Sequence, residues 1–216
     1  MHVKLLTSSV LMTAAVAARQ CTDSTELLSQ QDAEAKNSLL KKCLDAGHLS
    51  IFEHINYTFS IQDVSRALLQ ELARHRHISL SVKSTRWALQ KLKQDDVHDF
   101  QASMCACVSP HLKETRDLID ASSAILNKII ELRKKGVPND ILKYFIPEGL
   151  NTGLIMTVNA RELMHVFTLR TSKRALAEFR YLCCLLHNEI SKDTRGTHDF
   201  LYDACTDWEK LKEEFS

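Results

Sequence analysis

Residues 51–61 alternate in character, with Ile51, Ile55, Tyr57, Phe59 and Ile61 on one side and Phe52, His54, Asn56, Thr58 and Ser60 on the other. A period of two over this length predicts a half-buried β-strand. The period then changes: Val64, Ala67, Leu68, Leu72 and Ala73 recur at helical spacing, with Asp63 placed to cap the element. A strand therefore feeds directly into a helix, and the helix runs out at a basic cluster that begins at Arg74. Cations in that position either complement the helix dipole or project toward an anionic ligand.

Farther along, Leu112, Leu118, Ile119, Ile125, Leu126, Ile129, Ile130 and Leu132 form a helical stripe, opened by Ser109-Pro110 and closed by Gly136 and Pro138. A short apolar run at 154–158 precedes a helical stretch over 159–169. Further helices are expected over 173–190 and 198–214. The N-terminal stretch imitates a secretory signal, but Thr7-Ser8-Ser9 interrupts its apolar part, and a strand at 3–6 with a helix at 10–18 accounts for it equally well. Strands followed by many helices predict one α+β unit over residues 1–216.

Composition narrows the function classes. Among 216 residues, 44% are hydrophobic and 25% charged, with five glycines and three prolines, which suits a packed core and argues against disorder. The formal net charge of +1 gives no bulk field for gathering nucleic acid or an anionic membrane, so any anion site must be local. No segment reaches the roughly 20 apolar residues of a membrane span. Seven cysteines without paired spacing suit a reducing compartment, and Cys183 and Cys184 are expected in the core. Cys105-Ala106-Cys107 with His98 and His111 offers a weak zinc pattern, lacking paired Cys-x-x-Cys arms, so no metal is expected.

The run Arg-His-Arg-His-Ile-Ser-Leu-Ser-Val-Lys-Ser-Thr-Arg at 74–86 holds four permanent cations and two histidines with no carboxylate. Guanidinium groups present multidentate donors to phosphate, and neighbouring hydroxyls complete its coordination without adding charge. A phosphorylated ligand fits this loop, and so does a plain solvated basic turn.

Arg74-His75-Arg76, seven residues and then Ser84 resembles the signature of flavin-dependent thymidylate synthases. The surroundings agree: Gly47-His48-Leu49-Ser50-Ile51-Phe52-Glu53-His54 and Val64-Ser65-Arg66-Ala67 resemble the stretches before that signature. Asn159-Ala160-Arg161-Glu162-Leu163, with His165, Phe167, Leu169 and Arg170, resembles the family's second motif. The likeness runs in consistent order from residue 3 to about residue 190, and it favours the strand-and-helix reading of the N-terminus. The expected architecture is a single α+β domain with a mainly antiparallel sheet flanked by helices and a helix-rich C-terminal half.

The resemblance implies reductive methylation of dUMP to dTMP in the cytoplasm, serving dTTP synthesis, with methylenetetrahydrofolate as carbon donor and NADPH as reductant through FAD. It implies FAD contacts from Ser50, Arg74, His75, Arg76, Asn159, Arg161 and His165. It implies dUMP contacts from Glu71, Arg74, Ser84, Thr85, Arg86, Lys143 and Arg170, with Arg170 as the catalytic residue that stabilises charge on the pyrimidine. Ser84 is expected to position nucleotide, since an unassisted serine is a weak nucleophile. His75 is open to a general-base role on composition, while its motif position favours flavin.

The resemblance further implies a homotetramer, while the near-neutral charge and the lack of a long apolar run lead to no expectation of a nucleic-acid or membrane partner. Val82, Trp87 and Lys143 depart from it: many members carry Glu or Gln, Tyr and Arg there. Two rival readings remain at this stage: a nucleotide- or RNA-binding module using the 74–86 loop with Trp87 for stacking, and a flavoprotein of the same fold that has lost synthase activity.

Overall fold

The computed structural model describes residues 1–30, 32–107, 112–193 and 199–215. The described strands are β1 (His2–Ser8), β2 (Asn56–Ser65), β3 (Ile78–Val82) and β4 (Asn151–Asn159). They form a four-stranded antiparallel sheet in the order β1-β2-β4-β3. β1 pairs antiparallel with β2 in the register His2 to Gln62 through Leu5 to Phe59, and an irregularity between Leu5 and Thr7 shifts the pairing of the last residues. The α+β expectation holds, as does the N-terminal strand followed by a helix, α1 (Met12–Gln20).

The chain divides into two compact units. The first comprises Met1–Gln62, Ala73–Leu80 and Ile155–Ser216. Its helices are α1, α2 (Ala33–Asp45), α8 (Ala160–Arg170), α9 (Ala177–Ser191) and α10 (Trp208–Glu213), with a 3-10 turn at Leu49–His54. β1 packs on α9, and the Leu49–His54 turn packs on α1 and α8. Ile55, Tyr57, Phe59 and Ile61 are fully buried here, as are Leu163, Phe167, Phe179, Leu182 and Cys183. Cys184 is buried too. The two cysteines thus act as small core hydrophobes, as expected.

The second unit comprises Asp63–Leu72 and Ser81–Leu154. It holds α3 (Arg66–Leu72), α4 (Thr85–Lys91), α5 (Gln94–Cys107), α6 (Leu112–Lys134) and α7 (Asn139–Leu142). Leu89, Val97, Phe100, Leu126, Ile129, Leu142 and Leu150 form its core, where α5 lies along α6. Gly136, at φ +88°, ends α6 in the left-handed conformation that glycine adopts without strain.

Several local expectations are corrected. The strand begins at Asn56, because residues 49–54 coil into a 3-10 turn that buries the neighbours Ile51 and Phe52 together, which an extended chain would send to opposite faces. Asp63 lies inside β2 with φ +58°, and it is Ser65 whose hydroxyl accepts from the Leu68 N–H at 3.0 Å and caps α3. On the α6 stripe, Leu118 and Ile125 are exposed while Ile119, Leu126, Ile129 and Ile130 are buried. The helix expected over 173–190 begins at Ala177, and the one over 198–214 is a 3-10 turn at Asp199–Leu201 followed by the short α10, capped by Asp207. The Ser109-Pro110 start of α6, and the Cys105, Cys107 and His111 side chains of the zinc pattern, lie outside the described residues. Among the described residues, no helix is long and apolar enough to cross a membrane.

Candidate active site

β4 ends at Asn159, whose side chain accepts from the Glu162 N–H at 2.8 Å and so starts α8. On that helix Glu162, His165, Leu169 and Arg170 stand at i, i+3, i+7 and i+8, a spacing that puts them on one face. Opposite runs the segment Arg74-His75-Arg76-His77. Together with Arg174 and Ala175 these residues line a cleft of about 540 Å³ within the first unit. Arg74, Arg76, Arg170 and Arg174 bring four permanent cations to it, and Glu162 is the single carboxylate among those lining residues. A second cleft of about 610 Å³ adjoins it, sharing His77, Glu162 and His165 and adding Leu49, Glu53, Asn159 and Arg161.

His75 is only 6% exposed. Its Nδ1 lies 3.3 Å from Oε1 of Glu162, itself buried, and Nε2 accepts a hydrogen bond from Nε of Arg170 at 2.9 Å. An arginine Nε can only donate, so Nε2 carries the lone pair and the neutral ring keeps its proton on Nδ1, facing the carboxylate. Burial pushes the His75 pKa below its ordinary value, and the Arg170 charge adds to that, while Glu162 acts in the opposite sense. The imidazole is therefore held neutral. His165 meets its edge at 6.0 Å between ring centroids, and Phe179 of α9 lies on another side of the ring at 6.0 Å. The Arg170 guanidinium also stands 5.0 Å from the centre of the Phe179 ring.

The structure brings Arg74, His75, Arg76, His165 and Arg170 together around the first cleft, and Asn159, Arg161 and His165 around the second. Arg161 is exposed and pairs with Glu53 at 2.6 Å. Ser50 lies on the exposed side of the Leu49–His54 turn and lines neither cleft. Glu71, Ser84, Thr85, Arg86 and Lys143 belong to the second unit. There Ser84 stands at the N-cap of α4 without a capping bond from its hydroxyl, and Thr85 begins the helix. Arg86 pairs with Asp140 at 3.1 Å, with both side chains well exposed. Lys143 is exposed.

Of the departures from the family pattern, Val82 is exposed, and Trp87 is 49% exposed with the Lys91 ammonium 4.1 Å from its ring. Sequence reasoning quoted Glu162 and Glu53 within motifs but gave them no role, and it passed over Arg174. The signal for Glu162 was its helical offset of three from His165 and eight from Arg170.

A cation-rich cleft between a basic loop and a motif-bearing helix, on an α+β frame, is suited to a phosphorylated ligand. The model of the family Thymidylate synthase complementing protein matches residues 5–194, and the chain belongs to that family. It is 39% identical over 198 residues to the flavin-dependent thymidylate synthase of Wolinella succinogenes, covering 90% of this chain and 96% of that one. It is 40% identical over 161 residues to that of Campylobacter jejuni, covering 73% and 74%. Among solved structures it resembles the flavin-dependent thymidylate synthase ThyX of Helicobacter pylori complexed with FAD and dUMP. That match has a TM-score of 0.76 and 30% identity, covering 96% of this chain and 100% of that one.

Proposed function

We propose that the chain is a flavin-dependent thymidylate synthase that methylates dUMP reductively to dTMP, drawing the carbon from methylenetetrahydrofolate and reducing equivalents from NADPH through FAD. The observation that carries this reading is the cleft in which Arg74, Arg76, Arg170 and Arg174 converge with only Glu162 among the lining residues opposing them. Such a donor set suits the pyrophosphate of a dinucleotide and the phosphate of a nucleotide, because guanidinium groups bind phosphate oxygens in pairs. FAD, when bound, supplies the redox chemistry. The chain's own residues bind, orient and polarise.

Arg74, His75, Arg76, Asn159, Arg161 and His165 make up the flavin side, with Ser50 from the Leu49–His54 turn. Glu71, Arg74, Ser84, Thr85, Arg86 and Lys143 hold dUMP, the arginines and hydroxyls taking its phosphate. Arg170 stabilises negative charge as it develops on the pyrimidine. The whole chain works as one catalytic domain, in the cytoplasm and as a homotetramer, with each flavin served by residues of more than one subunit.

The test is a pair of titrations on the purified protein. FAD binding is followed by quenching of flavin fluorescence, and dUMP binding by the perturbation of the bound flavin spectrum. Saturable binding of FAD, with a spectral change on adding dUMP but not uridine, is the expected result. A protein that leaves the fluorescence of added FAD unquenched contradicts the assignment.

A further inference from the structure

We propose that Glu162 and His75 are positioning residues for Arg170, acting as a buried carboxylate–imidazole–guanidinium relay that fixes the direction in which the guanidinium faces the pyrimidine. The inference rests on the reading under which Arg170 serves dUMP.

The geometry leaves one consistent assignment of protons. Glu162 accepts from Nδ1–H of His75, so the imidazole offers Nε2 as acceptor, and Nε2 takes the Nε–H of Arg170 at 2.9 Å. Nε is the one nitrogen of the guanidinium tied to the side-chain stem. Anchoring it sets the plane and roll of the whole group. Phe179, 5.0 Å from the guanidinium carbon, supplies the face on which that plane rests. Glu162 and Arg170 belong to the same helix, while His75 arrives from the basic loop, so the relay also ties that loop to α8. A flexible arginine cannot aim its charge before the substrate arrives. One held through Nε has lost that freedom already, and catalysis by electrostatic stabilisation depends on such prior orientation.

The relay has a characteristic dependence on acid. Protonating His75 places a hydrogen on Nε2 and removes the acceptor, so the anchor to Arg170 breaks. The groups that bear on this titration are Glu162, His165 and Arg170 from α8, Arg74, Arg76 and His77 from the loop, and Arg174 across the cleft, with the apolar Phe179 from α9. Burial and the neighbouring arginine hold the imidazole neutral, so the relay is intact at neutral pH and fails only as pH falls through the lowered His75 value.

Three variants separate positioning from mere packing. Glu162→Gln keeps shape and an acceptor but loses the negative charge that strengthens the bond to Nδ1–H. His75→Gln keeps an acceptor for Arg170 and does not titrate. His75→Phe keeps bulk and has no acceptor. Steady-state kinetics over about pH 5–8, flavin absorbance and ¹⁵N NMR of histidine-labelled protein are measured on each. The His75 signals are assigned by their disappearance in His75→Gln.

The expected result is an Nδ1–H signature for His75 at neutral pH in the unmutated protein. For Glu162→Gln, kcat should fall about ten- to a hundredfold with KM for dUMP little changed. His75→Gln should keep more turnover than His75→Phe and lack the acid limb of the unmutated enzyme. An Nε2–H or doubly protonated His75 at neutral pH overturns the proposal, as do equal kcat values for His75→Gln and His75→Phe. If the unmutated protein makes no dTMP while His75 shows Nδ1–H, the synthase reading fails and the relay stands as a feature of the site. Should Glu162→Gln fail to fold, the tautomer in the unmutated protein and the contrast between the two His75 variants still decide.

Discussion

Nε of Arg170 donates to Nε2 of His75 across 95 positions of sequence, and this bond joins the two motifs that carry the family signature. Nothing in the local pattern of either motif requires it. It arises because β4 delivers α8 with Glu162 and Arg170 on the face that the basic loop approaches.

Arg170→Lys should lower turnover by about a hundred- to a thousandfold while leaving flavin content near normal. Lysine keeps the charge but has neither an Nε–H for His75 nor a planar fork. Steady-state kinetics with dUMP varied, alongside flavin absorbance, makes the check. Near-unmutated turnover, or complete loss of flavin, would place the activating role elsewhere.

Arg86→Ala should weaken dUMP binding about ten- to a hundredfold, the equivalent of roughly 1.5–3 kcal/mol for a charged hydrogen-bonding partner. Flavin affinity should hardly move. Its partner Asp140 is well exposed, and exposed pairs contribute about 0–1 kcal/mol, so the melting temperature should stay close to that of the parent. Equal losses of dUMP and flavin in parallel titrations would show that Arg86 does not serve the nucleotide.

Asn159→Ala removes the oxygen that accepts from the Glu162 N–H at 2.8 Å and should cost about 0.5–2 kcal/mol of stability. Asn159→Asp keeps an acceptor and should recover most of it. Denaturant unfolding reads both, and an alanine variant as stable as the parent would show that the cap carries little.

Thiol chemistry should follow burial. Cys21 is exposed, whereas burial pushes the Cys183 thiol far up and Cys184 to about 11. A maleimide at neutral pH should label Cys21 quickly and leave Cys183 and Cys184 intact until the protein unfolds. Peptide mapping that finds Cys183 labelled in the native protein would contradict the packing of α9.

Acid should weaken the fold through His75. Its folded pKa is lowered, so below the ordinary histidine value of about 6.5 the unfolded chain binds the proton more readily, and stability falls as pH drops toward the folded value. Above 6.5 this contribution is fully present. His75→Gln should flatten that part of the stability curve, and an unchanged acid slope would assign it to other histidines.

Legibility in the sequence followed the range of the interactions. The strand through Tyr57, Phe59 and Ile61 was legible because all three alternate along β2 and are buried, and Ile55 just before it is buried too. The preceding turn was not, since Ile51 and Phe52 continue the apolar run and are buried together from a 3-10 turn that the period of two did not signal. The C-terminal segment, read as one helix over 198–214, buries Leu201, Tyr202, Trp208 and Leu211. It does so from a 3-10 turn at Asp199–Leu201 and the short α10, with Asp207 capping the helix. Arg74, His75, Arg76, His165 and Arg170, named from motif likeness, all line the first cleft. The partners chosen by His75 were invisible, because Glu162 lies 87 positions away and only the fold brings the two together.

The most direct measurement of the central claim is formation of dTMP from dUMP, methylenetetrahydrofolate and NADPH, with each component and FAD omitted in turn. The account predicts product only in the complete mixture, with loss of product on omitting FAD from flavin-stripped protein. Product formed at full rate without flavin, or no product with FAD bound and every substrate present, would contradict it.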